Sequence, residues 1–473
     1  MMKEKSYNWR YLLSICLISA MGGLLFGYDW VVIGGAKPFY EPFFGITVNP
    51  AMQGWAMSCA LIGCLAGAIL SGWLSDRFGR KKLLILSAGI FVAASLGTGG
   101  AGSFLSFVFF RILGGIGIGL ASNLSPMYIA EVTPGKVRGA FVSINQLTIV
   151  IGILAAQLIN WRIARPVPAN ASVSDILASW NGQTGWRWMF WACTIPASLF
   201  FILMWFVPES PRWLVRNEKD NQKARRILSK IGGNDYADSE ISAIEETLRN
   251  SSAKTGFSLI KQPGMKKLLL LGIVLAVFQQ WCGINVIFNY AQEVFANAGY
   301  SVSDTLFNIV ITGSVNLVFT FIGMFTVDRL GRKALMLIGA GGLASVYAVT
   351  GLMYFLHLQG LPLLIMVVTV IACYAMTLAP VTWVILSEIF PNRIRGFAMS
   401  VGTFALWAAC FVLTYSFPLL NKILKASGTF WLYGFICVLG FWFILKKLPE
   451  TKGKSLEEIE HDMAKERKNG ITA

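Results

Sequence analysis

Long apolar stretches separated by short polar segments recur along the whole chain. They fall near residues 11–35, 52–75, 83–101, 104–130, 140–161, 188–207, 268–296, 306–327, 334–356, 361–387, 397–420 and 429–445. A helix needs roughly 20 apolar residues to cross hydrocarbon. The pattern therefore predicts an all-α membrane protein with twelve transmembrane helices. The first stretch is too long for a signal peptide, runs into Asp29 and carries no small-residue cleavage site.

The polar segments orient these spans. With both termini on one side, that side carries 33 of the 40 Lys and Arg residues and the opposite side six: Lys37, Arg162, Arg165, Arg187, Lys422 and Lys425. The remaining one, Arg111, falls inside a span. By the positive-inside rule both termini are expected in the cytoplasm, which requires an even number of spans. The expected location is a cell membrane, inner or plasma, crossed many times.

Composition agrees. Hydrophobic residues make up 55% of the 473 and charged ones 14%, with a mean hydropathy of +0.61. Soluble domains carry about 25% charged residues, so the composition argues against an ordinary cytosolic enzyme. The net charge of +16 is scattered over short loops, whereas a nucleic-acid surface gathers its charge on one face. All eight cysteines lie within spans without a C-x-x-C pair, and there are only two histidines. Buried free thiols are expected, with no metal, no disulfide framework and no cofactor.

The chain repeats itself. Asp76-Arg77-Phe78-Gly79-Arg80-Lys81 returns as Asp328-Arg329-Leu330-Gly331-Arg332-Lys333, and Glu131-x-x-Pro134-x-x-x-Arg138-Gly139 as Glu388-x-x-Pro391-x-x-x-Arg395-Gly396. Pro208-Glu209 is echoed by Pro449-Glu450. The expected organisation is a six-helix half over 1–207, a cytoplasmic linker with short helices over 208–265, a second half over 266–448 and a tail over 449–473. The linker looks amphipathic around 219–231 and 238–249. Two parallel halves around a cavity is a transporter architecture. Asp76, Arg80, Glu131, Arg138, Glu209, Arg212, Asp328, Arg332, Glu388 and Arg395 have two readings. They cap helices and anchor loops, or they form a latch between the halves, closed while the cavity faces outward. Their duplication at matched positions favours the latch.

These stretches carry a resemblance to the sugar porter family of the major facilitator superfamily, closest to its bacterial xylose–proton symporters. Gly22-Gly23-Leu24-Leu25-Phe26-Gly27-Tyr28-Asp29, Arg111-Ile112-Leu113-Gly114-Gly115, Pro208-Glu209-Ser210-Pro211-Arg212-Trp213-Leu214, Gln279-Gln280-x-x-Gly283-Ile284-Asn285 and Pro449-Glu450-Thr451-Lys452-Gly453 stand in order along nearly the whole chain. The resemblance implies the major facilitator fold and sugar transport by alternating access.

Within the spans, Asp29 reads as the sole deep carboxylate and Arg111 as the sole deep base. A carboxylate in the membrane is costly, so it should be paired, protonated or in contact with water. Asp29 and Arg111 form either a static ion pair or a proton site. In the latter, burial raises the acid's affinity for a proton and the arginine lowers it. The resemblance implies that an aspartate here carries coupling. Gln146, Gln279, Gln280, Asn285, Asn289 and Asn316 form a second constellation. Each amide donates and accepts, which suits sugar hydroxyls, although any one could instead join helices. Gly283 could loosen the seventh helix, and Ala379-Pro380 could break the tenth. The resemblance implies substrate contact for the amides, with Trp383 and Trp407 over the sugar ring and Phe26 as an apolar wall. Three positions depart from the family pattern: Asn289 stands for a Tyr, Ala379 for a Gly and Leu406 for a polar amide.

Two motifs mislead. Gly114 to Gly119 imitates a dinucleotide loop but lies mid-span, where small residues let helices approach. Gly453-Lys454-Ser455 lacks the earlier glycine of a phosphate loop. The expected function is proton-coupled symport of a neutral monosaccharide, a pentose such as xylose or a hexose, with sugar, proton and lipid bilayer as partners and no nucleic acid. The alternative is a uniporter of the same fold. A non-transporting sugar sensor is disfavoured by the short tail. No nucleophile–base pair points to an enzyme.

Overall fold

The computed structural model describes residues 7–135, 137–168, 171–218, 220–250, 263–390 and 395–450. Among them, all regular structure is helical. Among the described residues, eleven helices are long and apolar enough to cross a membrane: helix 1 (Trp9–Phe44), helix 2 (Pro50–Phe78), helix 3 (Arg80–Gly100), helix 4 (Phe104–Val132), helix 5 (Arg138–Ile163), helix 6 (Asn181–Met204), helix 7 (Lys266–Asn289), helix 8 (Val302–Thr326), helix 9 (Arg332–Phe355), helix 10 (Leu361–Leu386) and a final element ending at Lys447. That final element, Arg395–Lys447, contains Lys425 at φ 57° and ψ 177°. A single non-helical residue divides it into helix 11 (395–424) and helix 12 (426–447), and the count becomes the expected twelve.

Helix 1 corrects one boundary. Its apolar pattern weakens at residue 35, yet the helix continues through Pro38 and Pro42 to Phe44. A proline forfeits one backbone hydrogen bond and crowds the carbonyl four residues before it. In membrane helices neighbouring elements compensate for that loss. Lys37 therefore sits inside a helix rather than in a loop, and it is buried.

Two helices are broken near their middles. Gly283, at φ 88° and ψ 0°, ends the first part of helix 7 and starts the segment Ile284–Asn289. A Cβ at Gly283 would come within 2.7 Å of the Tyr433 ring, so both conformation and space demand glycine. Helix 10 breaks at Thr377 (φ −120°, ψ −85°), between Leu361–Met376 and Leu378–Ile389. The break falls two residues before Ala379, because Pro380 has no N–H to give the Met376 carbonyl four residues earlier and its ring crowds that carbonyl.

The chain forms two compact units. One holds residues 1–32, 59–156 and 187–254; the other holds 33–58, 157–186 and 255–473. In the first unit, helices 2 and 4 touch through small residues. A Cβ on Gly115 would fall 1.9 Å from the Ala60 carbonyl oxygen, and one on Gly63 would fall 2.0 Å from that of Ile112. The glycine run of helix 4 is thus a packing surface. In the linker, Asn221–Gly232 and Asn234–Asn250 are helices. Asp220 caps the first by accepting from Lys223 N at 2.8 Å. Gly233, at φ 83°, allows the second to start at once, four residues before the amphipathic pattern becomes visible. The buried faces of this pair meet Trp213, Leu214 and Val215.

Candidate functional site

In the first unit, Asp29 of helix 1 meets Arg111 of helix 4. Arg111 Nη1 donates to both carboxylate oxygens at 2.8 Å, and Nη2 reaches the Asp29 carbonyl at 3.5 Å. Both residues are buried, at 6% and 3% exposure. The guanidinium lies 5.7 Å from the centre of the Phe190 ring. Gly114 lies beside the pair, where an added Cβ would sit 3.9 Å from Asp29 Oδ2 and 3.3 Å from the Ala94 methyl. Two opposite charges about 4 Å apart attract by ~4 kcal/mol at an effective dielectric constant of ~20. Protonating Asp29 would remove most of that attraction. The guanidinium thus supplies the counter-charge that a carboxylate in the membrane requires.

In the second unit, the amides of helix 7 form a hydrogen-bonded chain. Asn285 Nδ2 donates to Gln280 Oε1 and, at 3.3 Å, to Cys410 Sγ. Gln280 Nε2 donates to Gln279 Oε1 at 2.5 Å, and Gln279 Nε2 donates to Tyr374 Oη at 2.5 Å. Gln279 and Gln280 are on consecutive residues, so a regular helix would point them about 100° apart. The break at Gly283 brings Asn285 back to Gln280. Tyr374 of helix 10 and Cys410 of helix 11 complete the chain, and sequence reading missed both. A tyrosine within an apolar stretch is the only signal for Tyr374, and Cys410 carries none.

The other candidate residues are not part of that chain. Asn289 and Asn316 are buried in the second unit, and Gln146 is half-buried on helix 5 in the first. Asn289 Oδ1 has no hydrogen-bond partner among the described atoms. Trp407 is buried, whereas Trp383 is 36% exposed. Phe26 stands edge to face with Trp30 at 6.0 Å. An apolar groove of about 410 Å³ in the first unit is lined by Lys82, Ile85, Leu86, Ile90, Ala93 and Phe201 among others. None of the candidate substrate residues lines it.

The repeated charged motifs also have definite places. Glu209 accepts from the backbone N–H of Arg80 at 2.9 Å and of Lys81 at 3.1 Å, and so caps helix 3. Glu450 accepts from Arg332 N at 3.0 Å and Lys333 N at 3.1 Å, and so caps helix 9. In each case the preceding glycine, Gly79 (φ 90°) or Gly331 (φ 94°), lets the carboxylate come close. Helix N-termini leave backbone donors without partners and attract negative charge. Burial pushes the Glu209 carboxyl above its ordinary value, opposed by the N–H groups of Ser210, Lys81 and Arg80.

Arg80 Nη2 pairs with Glu131 Oε1 at 3.0 Å, and its Nη1 lies 3.5 Å from Asp76 Oδ1. Ser210 Oγ donates to the other oxygen of Glu131 at 2.5 Å. All of these ties lie within the first unit. Arg138 and Arg212 are exposed there, and Arg332 is half-buried in the second unit. The side chains of Asp328, Glu388 and Arg395 lie outside the described residues. No group of three His, Cys, Asp or Glu suited to a metal gathers among the described residues.

The chain is similar to known proteins along nearly its whole length. Residues 15–463 match the family model described as "Sugar (and other) transporter". The chain is 39% identical over 484 residues to the D-xylose-proton symporter of Escherichia coli (strain K12), covering 96% of each protein. It is 35% identical over 457 residues to the arabinose-proton symporter of Bacillus subtilis (strain 168), again covering 96% of each. Among solved structures, the E. coli xylose transporter XylE in its inward-open conformation superposes with a TM-score of 0.83 at 38% identity, covering 95% of this chain and 99% of that one. XylE bound to 6-bromo-6-deoxy-D-glucose superposes with a TM-score of 0.78, at 38% identity and covering 96% and 99%. With this match and the twelve-helix architecture, the chain belongs to the sugar transporter family as a multi-pass membrane protein.

Proposed function

We propose that this protein is a proton-coupled symporter of a neutral monosaccharide, a pentose such as xylose or a hexose, and not an enzyme. The observation that carries the reading is the buried Asp29–Arg111 pair. A static structural role does not require a carboxylate in the membrane, and replacing such a pair by apolar residues often costs nothing. A site where one proton exchanges with one guanidinium does require it. Relatives named as proton symporters for xylose, arabinose and galactose support this reading.

Gln146, Gln279, Gln280, Asn285, Asn289 and Asn316 bind the sugar hydroxyls, with Tyr374 orienting Gln279. Trp383, Trp407 and Phe26 supply apolar surface. The sugar is neutral because the amide set offers donors and acceptors without charge. Protonation of Asp29 frees Arg111, and sugar binding at the amides favours the state in which the proton is held. The halves 1–207 and 266–448 then move against each other, with both termini in the cytoplasm. Asp76, Arg80, Glu131, Arg138, Glu209, Arg212, Asp328, Arg332, Glu388 and Arg395 form the cytoplasmic latch. Uptake of a panel of pentoses and hexoses into proteoliposomes, with and without an imposed pH gradient, tests the proposal. Uptake that no pH gradient accelerates, for any sugar taken up, would reduce it to uniport.

A further inference from the structure

Two buried charged side chains, Lys37 and Glu41, and a half-buried one, Glu293, all unused by the coupling scheme, meet where helix 1 approaches the broken end of helix 7. Lys37 is 4% exposed and Glu41 6%. Lys37 Nζ pairs with Glu41 Oε1 at 3.1 Å, one helical turn further on, and also with Glu293 Oε1. Gln53, at the start of helix 2, donates to Glu41 Oε2 at 3.2 Å and to the Thr47 carbonyl at 2.9 Å. The ammonium also lies 5.4 Å from the centre of the Tyr290 ring. Tyr290 in turn donates to the Thr414 carbonyl of helix 11 at 2.7 Å. Glu293 Oε2 has no hydrogen-bond partner among the described atoms.

A buried ion pair contributes little net stability, because desolvation offsets the attraction. Removing one partner, however, strands the other at high cost. Such a cluster is stable when complete and dry, and stable again when all its members are hydrated. It is unfavourable in between, which is the property of a contact with two states. Its place in the chain says which two. By the internal repeat, Lys37 and Glu41 belong to the first half and Glu293 to the second. Yet residues 33–58 lie in the same compact unit as 255–473. In the alternating-access reading, a path to the sugar from the side opposite the termini opens where 33–58 parts from 255–473. Other joins between these segments include the close backbone approach of Gly34 to the carbonyls of Phe288 and Asn289 and the edge-to-face contact of Trp55 with Phe411. The Lys37–Glu293 pair adds charge and a defined register.

We propose that Lys37, Glu41 and Glu293 form an ion latch that closes the sugar path on the side opposite the termini, and that the three charges become hydrated when it opens. The proposal rests on the alternating-access reading above. It is tested by labelling with a membrane-impermeant maleimide in right-side-out vesicles. The reporter is Ser58→Cys, since Ser58 is 0% exposed, with reporter-free protein giving the background from native thiols. Lys37→Met should raise the labelling rate about tenfold, the change that ~1.4 kcal/mol in the closed–open equilibrium produces. Glu293→Gln, which keeps the side-chain shape and covers the case in which Lys37→Met does not fold, should act in the same direction. Lys37→Arg keeps the charge and should label more slowly than Lys37→Met. An unchanged rate in Glu293→Gln, or equal rates in the Arg and Met variants, overturns the latch. Labelling needs neither sugar nor a proton gradient, so a protein that fails to transport sugar defeats symport while the labelling still decides the latch.

Discussion

Replacing Asp29 by Asn separates coupling from sugar binding. The substitution keeps the size of the side chain and one oxygen that can accept from Arg111 Nη1, now 2.8 Å from both carboxylate oxygens. It removes the charge and the titration. One proton moving inward with each sugar supplies about 1.4 kcal/mol per pH unit and about 2.3 kcal/mol per 100 mV. A gradient of one unit with 100 mV thus supplies ~3.7 kcal/mol, a ceiling of roughly 500-fold accumulation at about 1.4 kcal/mol per tenfold. For the Asn variant the ceiling is no accumulation, whatever the gradient. All the sugar amides except Gln146 lie in the other compact unit, so exchange of labelled for unlabelled sugar should persist. Arg111 would keep the Phe190 ring but lose its counter-charge. Stranding a buried charge costs about 3–5 kcal/mol, so thermal stability in detergent should be measured first. Proteoliposomes loaded at one pH and diluted into another then read accumulation and exchange in the same preparation. If a well-folded Asn variant still accumulates sugar in response to the pH gradient, Asp29 is not the proton site and the exchange with Arg111 is wrong.

Three further outcomes are expected. Gln146→Ala and Gln280→Ala should each weaken sugar binding by about 1–3 kcal/mol, because each leaves a buried hydrogen-bond partner unmatched; calorimetry that finds both unchanged would move the site elsewhere. Glu388→Gln should weaken the outward-facing state, so labelling of the cavity from outside should fall; equal labelling would leave the repeated charges with capping alone. Glu209→Gln probes the cap of helix 3. Because burial holds the Glu209 carboxyl above its ordinary value of 4.5, the native state binds a proton that the unfolded state has released. The parent should therefore lose stability as pH rises from 4.5 through the raised value, while the Gln variant, which does not titrate, should lack that slope. Melting curves at successive pH values would show parallel traces if the burial argument fails.

Much of the architecture was legible in the chain because lipid constrains it locally. Each span must be apolar over its own length, so twelve stretches appear without knowledge of their neighbours, and basic loops orient them. A rare charge in such a stretch is conspicuous, and Asp29 and Arg111 stand out although 82 residues separate them. Duplication made the motifs around Gly79 and Gly331 visible as a pair. What they do was not visible, since Glu209 reaches the N-terminus of helix 3 from 129 residues away. The end of helix 1 was misread for a related reason. A lysine, two prolines and a glutamate look like a loop, and only a carboxylate 256 residues along the chain makes Lys37 a buried partner. Cys410 joins the amide chain because the turn at Gly283 redirects Asn285, whereas Tyr374 joins it through Gln279. Local hydropathy reports where each segment lies relative to the bilayer, whereas pairing between segments depends on which side chains meet across the fold, and that only the tertiary structure decides.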